Sequence, residues 1–151
     1  MVKNFTLLTL FSVLLTACGT PSTSSSNTPK NTRLTESHFL GKWLITEGST
    51  PACQEITTFL PNRTWTISSN KSRTAGIWSF NDKTQKLTMQ FTSSNLQANC
   101  EGDKLDANDF NQIKGIDAVH AVRVTPQGLF VETLDANGKP NNDSYHLQKL
   151  P

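Results

Sequence analysis

Pro61-Asn62-Arg63-Thr64-Trp65-Thr66-Ile67-Ser68 is the stretch that decides the fold class. Its first three residues are turn chemistry. Trp65 and Ile67 then alternate with Thr64, Thr66 and Ser68, a period-2 signal on β-prone residues. The same alternation runs outward in both directions. Upstream, Trp43 and Ile45 alternate with Lys42 and Leu44, and a second strand follows Pro51 near Glu55 to Leu60. Downstream, Ala75 to Phe80 places Trp78 and Phe80 on one face. Asn81-Asp82-Lys83-Thr84 turns the chain into Lys86 to Thr92, where Leu87, Met89 and Phe91 share a face. Three more strands are expected at Ala118 to Thr125, Leu129 to Leu134 and Ser144 to Leu150. Pro126-Gln127-Gly128 and Asn137-Gly138-Lys139-Pro140 separate them with strong turn residues. Ser93 to Gly115 is polar and fits a long loop, an edge strand or a short helix near Asp109 to Ile113. Connections of that length in a small domain are often functional. The pattern predicts an all-β fold of seven or eight short antiparallel strands, either a barrel or a β-sandwich.

The N-terminus carries a different signal. Lys3 is a small positive region, Phe5 to Leu15 is apolar apart from hydroxyl residues, and Thr16 and Ala17 are the small residues a signal peptidase needs. Leu15-Thr16-Ala17-Cys18-Gly19 resembles a bacterial lipobox. That resemblance implies removal of residues 1–17 and diacylglyceryl modification of Cys18, with palmitate-class chains as the membrane anchor. The apolar run is well short of the ~20 residues a transmembrane helix requires. Residues 18–37 hold Pro21-Ser22-Thr23-Ser24-Ser25-Ser26-Asn27-Thr28-Pro29, which has nothing to bury and reads as a disordered tether. A flexible linker of that length reaches about 23 Å. Residues 38–151 are then the barrel domain. Gly19 is not the Asp that retains lipoproteins in the inner membrane of enteric bacteria, so the resemblance implies the outer membrane and leaves the leaflet open.

With Cys18 lipidated, Cys53 and Cys100 remain in an oxidising compartment and are expected to form a disulfide. The closed loop of about 47 residues makes the bond worth roughly 3–4 kcal/mol in the chain-entropy model. The charge is nearly balanced, with 14 basic and 12 acidic residues. No basic run or stripe occurs, which argues against nucleic acid as a partner.

Phe39-Leu40-Gly41-Lys42-Trp43 resembles the first-strand Gly-x-Trp motif of lipocalins. Phe59, Pro61-Asn62-Arg63-Thr64-Trp65, Gly76-Ile77-Trp78, Leu87 and a last strand through Tyr145 follow in the order of small bacterial lipocalin-like domains, over roughly residues 38–150. The family's C-terminal arginine on the first-strand tryptophan has no arginine counterpart; Lys149 is its partial substitute. The resemblance implies a small antiparallel lipocalin-like β-barrel of about eight strands, with the β-sandwich as the alternative, that binds a small hydrophobic molecule. Trp43, Trp65, Trp78, Phe80, Met89 and Phe91 are the candidate lining. The same side chains are also enough to fill a small barrel, since each aromatic buries roughly 150–250 Å², and the core reading weighs more.

Catalytic and metal signals are missing. No Gly-x-Ser-x-Gly elbow, HExxH or phosphate loop occurs. His38, His120 and His146 lack metal-ligand spacing. His120 shares a strand face with Val122 and Val124 and is expected as a satisfied histidine of core or rim. Glu101, Asp103, Asp106, Asn108 and Asp109 do not fit an EF-hand loop and read as a solvated loop. The expectation is therefore a non-enzymatic envelope lipoprotein, without cofactor or metal, that binds a hydrophobic molecule or an envelope component. The alternative is a protein-interaction module, such as a periplasmic inhibitor or assembly accessory, acting through Ser93 to Gly115 or the tether.

Overall fold

A computed structural model of the chain describes residues 33–151. The signal segment, Cys18 and the tether as far as Thr32 lie outside the described residues. Eight strands follow one another around a closed antiparallel barrel: β1 (Gly41–Thr50), β2 (Cys53–Phe59), β3 (Thr64–Ser69), β4 (Ser72–Asn81), β5 (Lys86–Ser94), β6 (Asp117–Thr125), β7 (Gly128–Leu134) and β8 (Pro140–Lys149). Spatial order equals chain order, as in lipocalin-like barrels, and the sandwich alternative is excluded because the sheet has no open edge. Closure is made by β1 and β8, with Trp43 opposite Lys149, Leu44 opposite Gln148 and Ile45 opposite Leu147. No described helix is long and apolar enough to cross a membrane.

Short polar turns set the strand boundaries. Asn62 Oδ1 accepts the Thr64 N–H at 3.2 Å, and Arg63 takes a positive φ of 62°. Asn81 Oδ1 accepts from Lys83 and Thr84 N–H at 3.0 and 3.1 Å, so the turn before β5 is closed by its own side chain. Ser93 to Gly115 resolves into the end of β5, a loop and a helix, α2 (Ala107–Ile113), which comes after α1 (Glu36–Phe39) in chain order. Asp106 caps α2 by accepting the Asp109 N–H at 2.8 Å, and Phe110 is its buried anchor. Cys53 and Cys100 form a disulfide that ties this loop to the start of β2, with Cα atoms 5.3 Å apart.

One end of the barrel is sealed by residues ahead of the expected boundary at His38. Leu34, inside the expected tether, is 1% exposed and belongs to the folded unit, and Phe39, just past that boundary, is 0% exposed. The Phe39 ring sits 4.7 Å from Phe80 and 5.9 Å from both Phe59 and Trp78. Polar bonds hold this plug in place. Leu34 N–H donates to Gln85 Oε1 at 2.9 Å, and the Gln85 amide returns a bond to the Leu34 carbonyl. The Arg33 guanidinium donates to the Asp82 carbonyl, and Arg63 pairs with Glu36 at 3.0 Å. Sequence periodicity did not show the plug because α1 is a single turn with only Phe39 buried.

The Gly-x-Trp motif has a physical role here. Trp43 Nε1 donates to the Phe39 carbonyl at 2.6 Å, which docks α1 on β1. The Lys149 ammonium lies 4.3 Å from the centre of the Trp43 ring and donates to the Leu40 carbonyl. Gly41, at φ +108°, leaves room for it: a Cβ there would stand 3.0 Å from Lys149 Nζ. Lys149 thus ties the last strand to the first-strand tryptophan and to the chain just ahead of β1. Gly76 is needed for a similar reason, because the Trp65 indole covers it and donates from Nε1 to the Ile77 carbonyl at 2.9 Å. A Cβ at Gly76 would lie 2.6 Å from Trp65 Nε1 and 1.9 Å from the Gln90 carbonyl oxygen.

Two stability changes follow from the core. Gly76→Ala forces the Trp65 indole and the β4–β5 pairing apart, and urea unfolding with the disulfide intact is expected to show a loss of about 3 kcal/mol. Thr57 is 3% exposed, and its hydroxyl is sealed without a hydrogen-bond partner. Thr57→Val replaces that orphan with a methyl of equal size and is expected to raise stability by about 1 kcal/mol, read as roughly 3–5 °C in Tm.

Candidate ligand-binding site

The end opposite the plug holds a cavity of about 390 Å³ between the strands. That volume lies at the lower end of the roughly 300–1,000 Å³ range of small-molecule pockets. Its deep and apolar side is built from Trp65 and Ile67 of β3, Met89 and Phe91 of β5, and Ile45 of β1. The Trp65 and Phe91 rings pack edge-on at 5.2 Å, which fixes this wall. The opposite side is polar: Glu47 of β1, Glu55 of β2, His120 of β6, Thr133 of β7, and Asp143 and Tyr145 of β8. A larger recess of about 450 Å³ lies on the outer face of β3 and β4, among Thr66, Ser68, Arg73 and Asn95. It has no aromatic side chain and no interior wall.

The six candidate lining residues divide between the two ends. Trp65, Met89 and Phe91 line the cavity. Trp43, Trp78 and Phe80 pack around Phe39 at the sealed end, where Trp78 Nε1 donates to the Leu60 carbonyl at 3.3 Å. Register explains the division. Phe80 pairs with Leu87 near the plug, whereas Phe91 pairs with Gly76 further along the same two strands. Alternation tells inside from outside but not height along the barrel.

The polar wall was missed, although a signal for part of it was present. Glu55 falls in the same alternation as Thr57 and Phe59, and Glu47 in that of Trp43 and Ile45. A carboxylate at an inward position of a strand has a polar task or stands at a mouth. Burial pushes the Glu55 carboxyl up, and the nearby Glu101 and Asp103 push it further. For Glu47 burial also pushes upward, but hydrogen bonds from His146 outweigh it and the net shift is down. Its two oxygens meet the His146 N–H and Nδ1, each at 2.6 Å.

His120 is 6% exposed, and its Nδ1 lies 3.1 Å from the Thr133 hydroxyl. Burial lowers its pKa to about 4, opposed weakly by Asp143. Tyr145 packs edge-on to it, with ring centres 6.3 Å apart. Burial, reinforced by Asp143, pushes the Tyr145 phenol upward, so it keeps its proton. His38 instead caps α1, where Nδ1 accepts the Thr35 N–H at 3.0 Å. In the β5–β6 loop the Asp106 carboxylate caps α2, and the turn is closed by Asn99 Oδ1, which accepts the backbone N–H of Glu101 and of Asp103. Among the described residues no group of His, Cys, Asp and Glu is arranged to hold a metal ion. No protein-family model matches the chain, and neither a curated protein nor a solved structure matches it.

The buried imidazole has a consequence for acid stability. Because folding favours the neutral ring, the unfolded chain binds more protons between pH 6.5 and 4. The native state is therefore fully favoured above about pH 6.5, and this contribution disappears as pH falls toward 4, at about 3 kcal/mol in all. His120→Gln removes the titration. Wild type is expected to lose about 2–3 kcal/mol more than the variant between pH 7 and pH 4 when urea midpoints are compared.

Proposed function

We propose that this protein is an envelope lipoprotein, anchored to the bacterial outer membrane through acyl chains on Cys18, whose barrel binds a small hydrophobic molecule rather than catalysing a reaction. The observation that carries the binding half is the cavity of about 390 Å³ walled by Trp65, Met89 and Phe91. A barrel packed solid to both ends would offer no such volume. The lipobox residues Leu15 to Gly19 support the anchor. The Cys53–Cys100 disulfide is consistent with an oxidising compartment.

Protein interaction is the second reading. It draws on Ile113 and Ile116, 36% and 59% exposed next to the loop that the disulfide holds.

Two measurements test the proposal. Metabolic labelling with a palmitate analogue is expected to mark the wild type and not Cys18→Ala; an unlabelled wild type overturns the anchor. Native mass spectrometry after gentle detergent release is expected to show a small apolar adduct. The adduct should vanish in Phe91→Glu and persist in Phe80→Leu, whose side chain is at the sealed end. Bare protein in every sample overturns the binding role.

A further inference from the structure

We infer that the polar end of the bound molecule is a cationic hydrogen-bond donor, so that the cavity takes an amine-bearing amphiphile and discriminates against carboxylates and phosphates. This rests on the cavity being a ligand site, as proposed above, and adds the chemistry of the ligand's head group.

The first observation is the charge of the wall. Glu55, Glu47 and Asp143 lie on β2, β1 and β8, three strands in sequence around the barrel. Neither Lys nor Arg is among the described residues that line the cavity. Glu47 is already occupied by His146, but Glu55 has no hydrogen-bond partner among the described residues, and Glu101 and Asp103 add negative charge nearby. An anionic head group there would meet carboxylates on one side and no compensating cation. An ammonium would find an unpaired acceptor in a site where burial strengthens the attraction.

The second observation is independent and concerns His120, which is almost fully buried yet only half satisfied. The Thr133 hydroxyl donates to Asp143 Oδ2 at 3.4 Å, so its oxygen is left to accept from His120 Nδ1. The neutral ring carries one proton, and this geometry puts it on Nδ1. Nε2 is then a bare lone pair, with no partner among the described residues and not sealed off in the packed core. His120 lines the cavity, so this accessible lone pair is an acceptor there, one that water can serve and that a donor head group can take over. On this wall only the Ser144 and Tyr145 hydroxyls have a proton to offer an anion, and neither carries a positive charge. The cavity's modest volume also selects a single short apolar body over a multi-acyl lipid.

The test uses the full-length lipoprotein in nanodiscs of zwitterionic lipid, with empty nanodiscs as the blank. Octylamine, octanol and octanoate share one tail and differ only in head group. Binding is read from tryptophan fluorescence, since Trp65 lines the cavity. Octylamine is expected to bind at least ten-fold more tightly than octanoate, with octanol between them. Glu55→Gln, which conserves shape, is expected to reduce that preference about five-fold or more without weakening octanol. Asp143→Asn, at an exposed residue, provides a second variant that does not threaten the fold. Phe91→Ala should weaken all three compounds together. Equal binding of the three, tighter octanoate, or an amine preference untouched by both acidic variants overturns the head-group inference while leaving the cavity as a ligand site. Binding of none of the three overturns both.

Discussion

Everything inside this protein depends on the pairing of β1 with β8, which rests on a short register of Trp43, Leu44 and Ile45 against Lys149, Gln148 and Leu147. Without it the sheet is an open ribbon, and the residues that face inward have no common interior. Three interactions reinforce the seam. The Lys149 ammonium covers the Trp43 ring, the Trp43 indole N–H holds Phe39, and Leu150 N–H donates to the Lys42 carbonyl at 3.0 Å. Cation–π attraction of this kind contributes about 0.5–2 kcal/mol. Its position matters more than its size, because it links the first strand, the last strand and the plug at one point. Phe39 then turns that point into a seal by filling the space among Phe59, Trp78 and Phe80.

Sealing one end gives the barrel a direction. Around Phe39 the interior is an apolar cluster that includes Leu34, Phe59, Trp78, Leu87 and Phe80. Toward the other end the inward side chains include Glu47, Glu55, Thr133 and Asp143, and packing gives way to a cavity. The interior therefore runs from a dry core, through the aromatic wall of Trp65 and Phe91, to an acidic mouth. Such a gradient suits a molecule with one apolar and one polar end.

The strand pattern was readable because period-2 alternation and turn chemistry are both local. Trp65 and Ile67, Trp78 and Phe80, and Leu87, Met89 and Phe91 sit on the inward faces that their spacing implied. Closure into a barrel also agrees with the Gly41-Lys42-Trp43 resemblance. Three things were not local and so were not readable. Height along the axis depends on cross-strand register, which is why Trp43, Trp78 and Phe80 went to the sealed end while Trp65, Met89 and Phe91 reached the cavity. The plug from Arg33 to Phe39 depends on contacts with turns some 50 residues away, such as Leu34 with Gln85. The acceptor state of His120 depends on Thr133 and Asp143, which belong to two other strands.

The Cys53–Cys100 bond divides the cavity in a way that the sheet alone does not. The covalent loop it closes contains Trp65, Ile67, Met89 and Phe91, the greater part of the apolar wall. Glu55 lies inside it with them, whereas Glu47, His120, Thr133, Asp143 and Tyr145 lie outside. Most of the apolar wall and Glu55 thus share the cross-linked segment, and the rest of the polar wall is held by non-covalent pairing alone. A disulfide limits the excursions of the chain it encloses, whereas segments outside it open with their own local free energies. Opening at the β1–β8 seam would therefore release Glu47 and the β8 residues Asp143 and Tyr145 while leaving Glu55 tied to the aromatic wall. A ligand leaving through that opening would part from the β1 and β8 side of the mouth before it parted from Glu55 and its aromatic neighbours.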